Sequence, residues 1–307
     1  MGKTPIEWTE HSVNPIRARL PGRLHGRSGH HCVKISPGCK NCYASRLQSR
    51  MGMPPYEVGQ RLGIELYLES AVLEEVRRRK KPTKYFWCDM TDLFLDEVPR
   101  EWIKAINGVC MDTPQHTHMI LTKRVERMLE EVTACPFPPN VWMGASVENQ
   151  DTFDERVELL GRVPAAVRFL SVEPQLEDID YGNALDHPPD DSPYGRIHWM
   201  IVGGESGPGA RVFDVAWARR AIVECRAAGT ACFIKQLGAN VWDRNDAGFE
   251  GDTPTAWPMD TCTEDENEFE ARYQGAGLRI HLKDRKGGAM EEWPEDLRVR
   301  EFPTVKS

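Results

Sequence analysis

Cys32, Cys39 and Cys42 stand in the string His31-Cys-Val-Lys-Ile-Ser-Pro-Gly-Cys-Lys-Asn-Cys-Tyr-Ala44, a C-x6-C-x2-C spacing. Three thiolates this close can hold three corners of one metal centre and leave the fourth open. An open corner separates a reactive metal site from a closed structural one. The other cysteines, Cys88, Cys110, Cys135, Cys225, Cys232 and Cys262, do not pair at ligand spacing. The triplet is therefore complete as it stands or borrows a non-cysteine ligand. A structural zinc would take His30 or His31 as its fourth ligand. A zinc deaminase would need Pro-Cys-x-x-Cys after a His-x-Glu. Here Pro37-Gly38-Cys39 carries an extra glycine and no His-x-Glu precedes it. A four-iron cluster with one iron free fits the spacing together with the barrel setting developed below, and an aromatic, Tyr43, directly follows the last cysteine.

The elements that must position this loop read as strands alternating with helices. From Tyr85 onward short apolar strands are expected at Tyr85–Cys88, His118–Leu121, Val141–Ala145, Val167–Leu170, His198–Val202 and Ala231–Ile234. Helical apolar spacing falls between them at Arg100–Val109, Arg124–Val132, Asp151–Leu160 and Val215–Ala228. Continuous apolar strands between helices indicate a parallel sheet buried on both faces. Upstream, Ile6–Thr9 and Ile64–Leu68 read as two more strands, the second followed by a helix over Ala71–Arg79. Six to eight such units make an α/β fold with a partial or complete (βα)-barrel. The barrel is expected over residues 1–240, with an irregular C-terminal cap over 241–307 packed by Trp293, Leu297 and Phe302 and containing a strand near Gly277–Leu282. An acidic run lies at Asp260–Glu270, and Asp180–Ser192 reads as a surface insertion.

Each strand ends in polar groups: Asp89-Met-Thr-Asp92, Thr122-Lys-Arg124, Ser146-Val-Glu-Asn149, Ser171-Val-Glu-Pro174, Gly203-Gly-Glu-Ser206 and Lys235-Gln-Leu-Gly238. In a parallel barrel these ends share one face, the face that carries active sites. Caps on the following helices are the plainer reading of Asp89, Ser146 and Ser171. Glycines at Gly203 and Gly204 allow close backbone approach, and the carboxylate of Glu205 can pair with an ammonium. Cys88, inside a strand, is a hydrogen-atom donor or a buried small hydrophobe.

Several motifs in a fixed order carry a resemblance. They are Thr4-Pro-Ile-Glu-Trp-Thr-Glu10, Asn14-Pro15, Ser36-Pro-Gly-Cys-Lys-Asn-Cys-Tyr-Ala44, Met90-Thr-Asp-Leu-Phe94, Leu121-Thr-Lys-Arg124, Gly144-Ala-Ser-Val-Glu-Asn149, Arg168-Phe-Leu-Ser-Val-Glu-Pro174, Gly203-Gly-Glu-Ser-Gly207 and Lys235-Gln-Leu-Gly238. Together they resemble the phage "three-Cys-motif" family, which is radical-SAM-like and of unsettled function. The resemblance implies a [4Fe–4S] cluster on Cys32, Cys39 and Cys42, with S-adenosylmethionine bound to the fourth iron through its amino and carboxylate groups. One-electron reduction would split it to methionine and a 5′-deoxyadenosyl radical. Gly203-Gly204-Glu205 resembles the Gly-Gly-Glu that holds the methionyl amino group in radical SAM enzymes. Tyr43, Asp89, Ser146, Glu148 and Ser206 complete the expected cofactor site. Lys235, Glu173 and Cys88 are the expected catalytic residues. Lys123, Arg124 and Arg211 are candidates for the methionyl carboxylate or a substrate phosphate. The spacing departs from the C-x3-C-x2-C usual in the wider superfamily.

Composition bounds the partners. The chain has 307 residues and a formal net charge of −8, so no global charge marks it as a nucleic-acid binder. No apolar run reaches membrane-spanning length and no secretory h-region opens the sequence, so a cytoplasmic protein without a membrane partner is expected. Nine cysteines, an odd number, in a reducing compartment argue against a disulfide framework. The segment Ile16–His31 holds Arg17, Arg19, Arg23 and Arg27 and no acid, a local positive patch just before the cysteines. The resulting expectation is a radical SAM enzyme acting on an anionic substrate, with DNA, RNA or a nucleotide as the named candidate. Its electron donor would be a flavodoxin or ferredoxin. The alternative is a zinc-stabilised nucleic-acid-binding module without catalysis.

Overall fold

A computed structural model describes residues 2–21, 28–185, 195–244 and 278–304. The strands are β1 (Gly2–Lys3), β2 (His11–Val13), β3 (Ile16–Arg19), β4 (Glu65–Leu68), β5 (Lys84–Trp87), β6 (Thr117–Thr122), β7 (Val141–Val147), β8 (Val167–Val172), β9 (Trp199–Gly203), β10 (Phe213–Asp214), β11 (Ala231–Gln236), β12 (Val241–Asp243) and β13 (Leu278–Ile280). The helices are α1 (Tyr43–Arg50), α2 (Tyr56–Arg61), α3 (Ser70–Arg78), α4 (Arg100–Asp112), α5 (Val125–Ala134), α6 (Gln150–Arg162) and α7 (Val215–Ala228).

The central sheet has eight strands in the order β1-β2-β5-β6-β7-β8-β9-β11. All neighbours from β2 onward are parallel, and only β1 runs antiparallel. The two end strands do not pair with each other among the described residues, so the sheet is open and not a closed barrel. Every residue of β7 and of β9 is buried, as expected of parallel strands covered on both faces.

Period-two alternation sorts each strand into two faces. One face carries Phe86, Met119, Trp142, Phe169, Trp199 and Phe233, an aromatic-rich floor with Trp8 set into it, its ring 4.6 Å from that of Phe86. Gly144 leaves room there, since a Cβ at that position would lie 2.4 Å from the Phe169 ring. Two or four residues further along the same face come Lys123, Ser146, Ser171, Glu173 and Lys235. The strands run in one direction, so these polar residues gather at one end of the sheet, above the floor.

Two expected strands differ. Residues 6–9 form a turn, closed by the Thr9 N–H donating to the Ile6 carbonyl at 3.3 Å, because Trp8 folds inward as the plug of the floor. The strand follows at β2. The expected strand Ile64–Leu68 is β4, but it pairs antiparallel with β3 in a separate two-stranded sheet. The helix after it, α3, spans Ser70–Arg78. The arginine-rich segment is therefore partly a hairpin: Ala18 and Gly29 exchange backbone hydrogen bonds at 2.9 and 2.8 Å. Arg23 and Arg27 lie outside the described residues, as do the acidic run Asp260–Glu270 and residues 186–192 of the insertion.

Near the C-terminus β13 pairs with β12, which pairs with β10. Trp293 and Leu297 are buried. Residues 299–301 run along the free edge of β11, with Ile234 N–H donating to Val299 O at 2.9 Å and Glu301 N–H to Cys232 O at 2.8 Å, which covers that edge. No helix among the described residues is long and apolar enough to cross a membrane.

Candidate active site at the cysteine loop

The loop 32–42 has one turn of regular structure, a 3-10 turn at Pro37–Cys39. Side chains from the strand ends fix the rest. Ser36 Oγ donates to Glu148 Oε1 at 2.7 Å, Arg124 Nη2 to the Val33 carbonyl at 3.0 Å, and Arg211 Nη1 to the Pro37 carbonyl at 3.1 Å. Asn41 Nδ2 donates to Glu205 Oε2 and to the Gly209 carbonyl, each at 2.9 Å. Gly38 must be glycine for close approach, since a Cβ would sit 2.5 Å from Glu148 Cγ.

All three cysteines are free, half-buried, and line one cavity of about 620 Å3 above the aromatic floor. Cys32 and Cys42 pack against an apolar patch of Ala44, Tyr56 and Met90. Burial, helped by Asp92, pushes the Cys32 thiol up to about 12 despite Arg124. Burial also opposes ionisation of Cys39, but Lys123 and the hydrogen bonds from the Ile35 and Ser36 side outweigh it and hold that thiol below its usual range. Among the described residues no three His, Cys, Asp or Glu side chains gather tightly enough for a single ion. His30 has both ring nitrogens engaged, Nε2 against Arg17 Nη1 at 2.8 Å and Nδ1 against the Ile16 carbonyl at 3.1 Å. His31 stands edge-on to Tyr56, 6.0 Å between centroids. An iron–sulfur cluster spreads its ligands over separate irons, so three thiols need only face a shared space. The all-thiol donor set and its apolar wall fit such a group.

Around the cavity, cations and carboxylates come in pairs. Lys123 pairs with Glu148, Arg124 with Asp92 at 3.3 Å, Lys235 with Glu173 at 2.9 Å and Arg211 with Glu205 at 2.8 Å. Glu148 is fully buried and also meets Arg156 Nη1 at 3.2 Å. Burial lowers the Lys123 and Arg156 values, with nearby acids and thiols acting against it. Burial raises the Glu205 carboxyl, but Arg211 and Asn41 outweigh it and the net shift is downward. Asp92 accepts Thr122 Oγ1 at 2.7 Å and the Lys123 N–H at 3.1 Å. Asp89 accepts Asn14 Nδ2 at 2.5 Å and Tyr43 Oη at 3.2 Å, and burial nonetheless raises its carboxyl.

Tyr43, Cys88, Asp89, Lys123, Arg124, Ser146, Glu173, Gly204, Glu205, Ser206 and Lys235 thus share the cavity wall with the three cysteines. Glu148, Gly203 and Arg211 stand behind that wall, Glu148 and Arg211 tied to it through their ion pairs. Arg17 and Arg19 lie on β3 and are not brought to the cavity. Arg19 Nε pairs with Glu65 of β4 at 2.9 Å. Cys88 is buried and is the one described non-glycine residue with a left-handed backbone, φ 60°. Burial, with Asp92 and Asp89, keeps its thiol well above the usual value. Ser36, Asn41, Asp92 and Arg156 were not among the expected site residues. Asp92 closes a strand-end string and Ser36 sits in the cysteine string, whereas Arg156 lies mid-helix with no local signal.

Over residues 3–281 the chain matches the family described as "Protein of unknown function (DUF5131)", and it belongs to that family. The description names neither a three-cysteine motif nor an activity. No curated protein matches. Among solved structures the chain is similar to mutants of spore photoproduct lyase. A double mutant with bound AdoMet and dinucleoside spore photoproduct shows 12% identity and a TM-score of 0.37 over 64% of this chain. A cysteine-to-serine mutant shows 11% and 0.41 over 78%. A tyrosine-to-phenylalanine mutant shows 12% and 0.38 over 69%. The matched region spans 56%, 67% and 63% of those chains, respectively.

Proposed function

We propose that this member of a family of unknown function is a radical SAM enzyme. Cys32, Cys39 and Cys42 would hold a [4Fe–4S] cluster, and the neighbouring cavity would hold S-adenosylmethionine and an anionic substrate. One observation carries the reading: three free thiols, held by strand-end side chains, line the same cavity as the polar ends of six parallel strands. When bound, the cluster would supply one electron for reductive cleavage of S-adenosylmethionine, delivered to it by a flavodoxin- or ferredoxin-type donor.

The chain's own residues have separable tasks. Tyr43, fixed through its hydroxyl to the Asp89 carbonyl at 2.8 Å, presents its ring beside the cysteines. The aromatic floor closes the cavity below and excludes water there. Lys235 and Glu173, paired at 2.9 Å, offer a proton donor and an acceptor on the same wall. Cys88, whose thiol burial keeps protonated and which lines the cavity, would give a hydrogen atom to a substrate radical, and its thiyl radical would be returned to the thiol by one electron from the flavodoxin- or ferredoxin-type donor and one proton. Glu205 is the expected ammonium ligand, and in this arrangement it would share its carboxylate with Arg211 and Asn41. Nucleic acid is the anionic substrate proposed.

The test is anaerobic purification and incubation with S-adenosylmethionine and dithionite. A brown protein with about four irons and four sulfides per chain, forming 5′-deoxyadenosine by mass spectrometry, supports the reading. A colourless protein with one zinc and no 5′-deoxyadenosine overturns it in favour of the zinc-stabilised binding module.

A further inference from the structure

The cations inside the cavity are neutralised, but those along its rim are not. Tyr43, Arg46, Leu47 and Arg50 fall at i, i+3, i+4 and i+7 on α1, and all four line the cavity. Leu47 is 42% exposed. Lys286 lines the cavity as well. A second cavity of about 400 Å3 shares Gly207 and Pro208 with the first and is lined by Arg279 and Arg285. Its acid, Asp284, is taken up by a backbone turn, accepting the N–H groups of Lys286, Gly288 and Ala289 at 3.1, 2.7 and 3.1 Å. Among the described residues Arg46, Arg50, Arg279, Arg285 and Lys286 form no ion pair, although acids outnumber bases in the chain by eight.

We propose that the two adjoining cavities form one groove for single-stranded nucleic acid. Arg46, Arg50, Arg279, Arg285 and Lys286 take its phosphates, and the Leu47 side of α1 takes the apolar face of a base. Guanidinium forks match phosphate oxygens in pairs. Cations interleaved with exposed apolar surface suit a polyanion whose charges alternate with flat rings better than a uniformly charged acidic peptide. This inference rests on the reading of an anionic substrate above and locates it: the substrate enters along α1 and not over the β3 arginines.

The test is fluorescence anisotropy of anaerobically purified full-length protein with a labelled mixed-sequence strand of about twelve nucleotides, within the usual site size. Binding should weaken with salt, with a log–log slope approaching about −3.5 if all five cations meet phosphates, since a single strand gives about 0.7 per phosphate. R46S/R50S should flatten the slope by about 1.4 and R279S/R285S/K286S by about 2.1. R78S/R226S, on the outer helices, should leave it unchanged. Thermal melts confirm that each variant is folded. Folded variants that keep the parent's affinity and slope overturn the inference. So does competition by polyglutamate of equal charge as strong as by unlabelled strand, which would make the groove a site for acidic peptide. Formation of 5′-deoxyadenosine in the same preparations reports on the enzyme reading separately. A parent that forms it and binds no strand overturns this inference and the nucleic-acid substrate but leaves the radical SAM reading standing, while a parent that binds the strand with the expected slopes and forms none supports the groove and overturns only the radical SAM reading.

Discussion

Glu148→Gln is the sharpest perturbation of the site, because it removes one charge from a place that cannot rehydrate. The Glu148 side chain is fully buried, and one carboxylate serves two cations, Lys123 through Oε1 and Arg156 through Oε2 at 3.2 Å, while accepting Ser36 Oγ at 2.7 Å. Glutamine keeps the shape but leaves both cations without an anion and turns an N–H2 group toward one of them. Breaking a buried pair in this way costs about 3–5 kcal/mol. That is a large share of a typical stability of roughly 5–15 kcal/mol. At roughly 1.5 °C per kcal/mol for a chain of this size, the melting midpoint should fall by roughly 5–8 °C. Urea denaturation followed by circular dichroism should show the midpoint fall with the m-value unchanged. Lys123→Met combined with Glu148→Gln should recover part of the loss, because one of the stranded charges goes with it. A loss under about 1 kcal/mol, the range of exposed pairs, would refute the reasoning.

Cys32, Cys39 and Cys42 should act as a unit: each Cys→Ala change should abolish iron retention, while Cys110→Ala and Cys225→Ala, buried on α4 and α7, should retain it; normal iron in Cys39→Ala would sink the ligand assignment. Glu205→Gln should weaken S-adenosylmethionine binding by about 1.5–3 kcal/mol, typical of a hydrogen bond to a charged group, with the cluster retained; unchanged affinity by calorimetry would move the ammonium site to Glu173. Burial holds His30 at about 4 and His118 at about 3, against an ordinary 6.5. Folded values below the unfolded one mean that stability is whole above pH 6.5 and is lost as pH falls towards those values, at up to about 1.4 kcal/mol per pH unit for each histidine. Denaturation midpoints between pH 7 and pH 4.5 measure this, and a pH slope unaltered in His118→Gln contradicts it.

The six strands between Tyr85 and Ile234 are legible because each is a continuous apolar run followed by a polar end, and both signals are local. Alternation within each run then places Trp142 with Ser146, and Phe169 with Ser171 and Glu173, on one face without reference to any partner. The edges of the sheet are not legible in this way. Residues 64–68 have strand composition, but their partner is Ile16–Arg19, nearly fifty residues away, and the sense of that pairing is set by tertiary geometry. Ile6–Thr9 carries an apolar pair that serves a turn, because Trp8 is worth more as the plug of the floor than as a ladder member. Charges show the same limit. Lys123, Arg124 and Arg211 read from sequence as free cations waiting for an anion, yet each meets a carboxylate, supplied from elsewhere in the chain for Lys123 and Arg124 and from six residues upstream for Arg211. Arg46 and Arg50 raise no signal in the sequence, because only the absence of a described partner sets them apart.

The tethers on the cysteine loop also set an order of events. The hydrogen bonds that hold it link residues 91, 112, 164 and 174 positions apart in the chain. Contacts so distant close only after the strands between them have assembled. The loop therefore closes onto a sheet that already stands, held by a handful of polar contacts, by Val33 packed on the core and by Cys32 and Cys42 packed on Ala44, Tyr56 and Met90. By the same token it should open at less cost than the strands beneath it. Under the radical SAM reading proposed above, the thiols would be uncovered and closed again while the sheet stays intact, so a cluster would be delivered to a chain that has already folded, and a damaged one replaced without unmaking the protein.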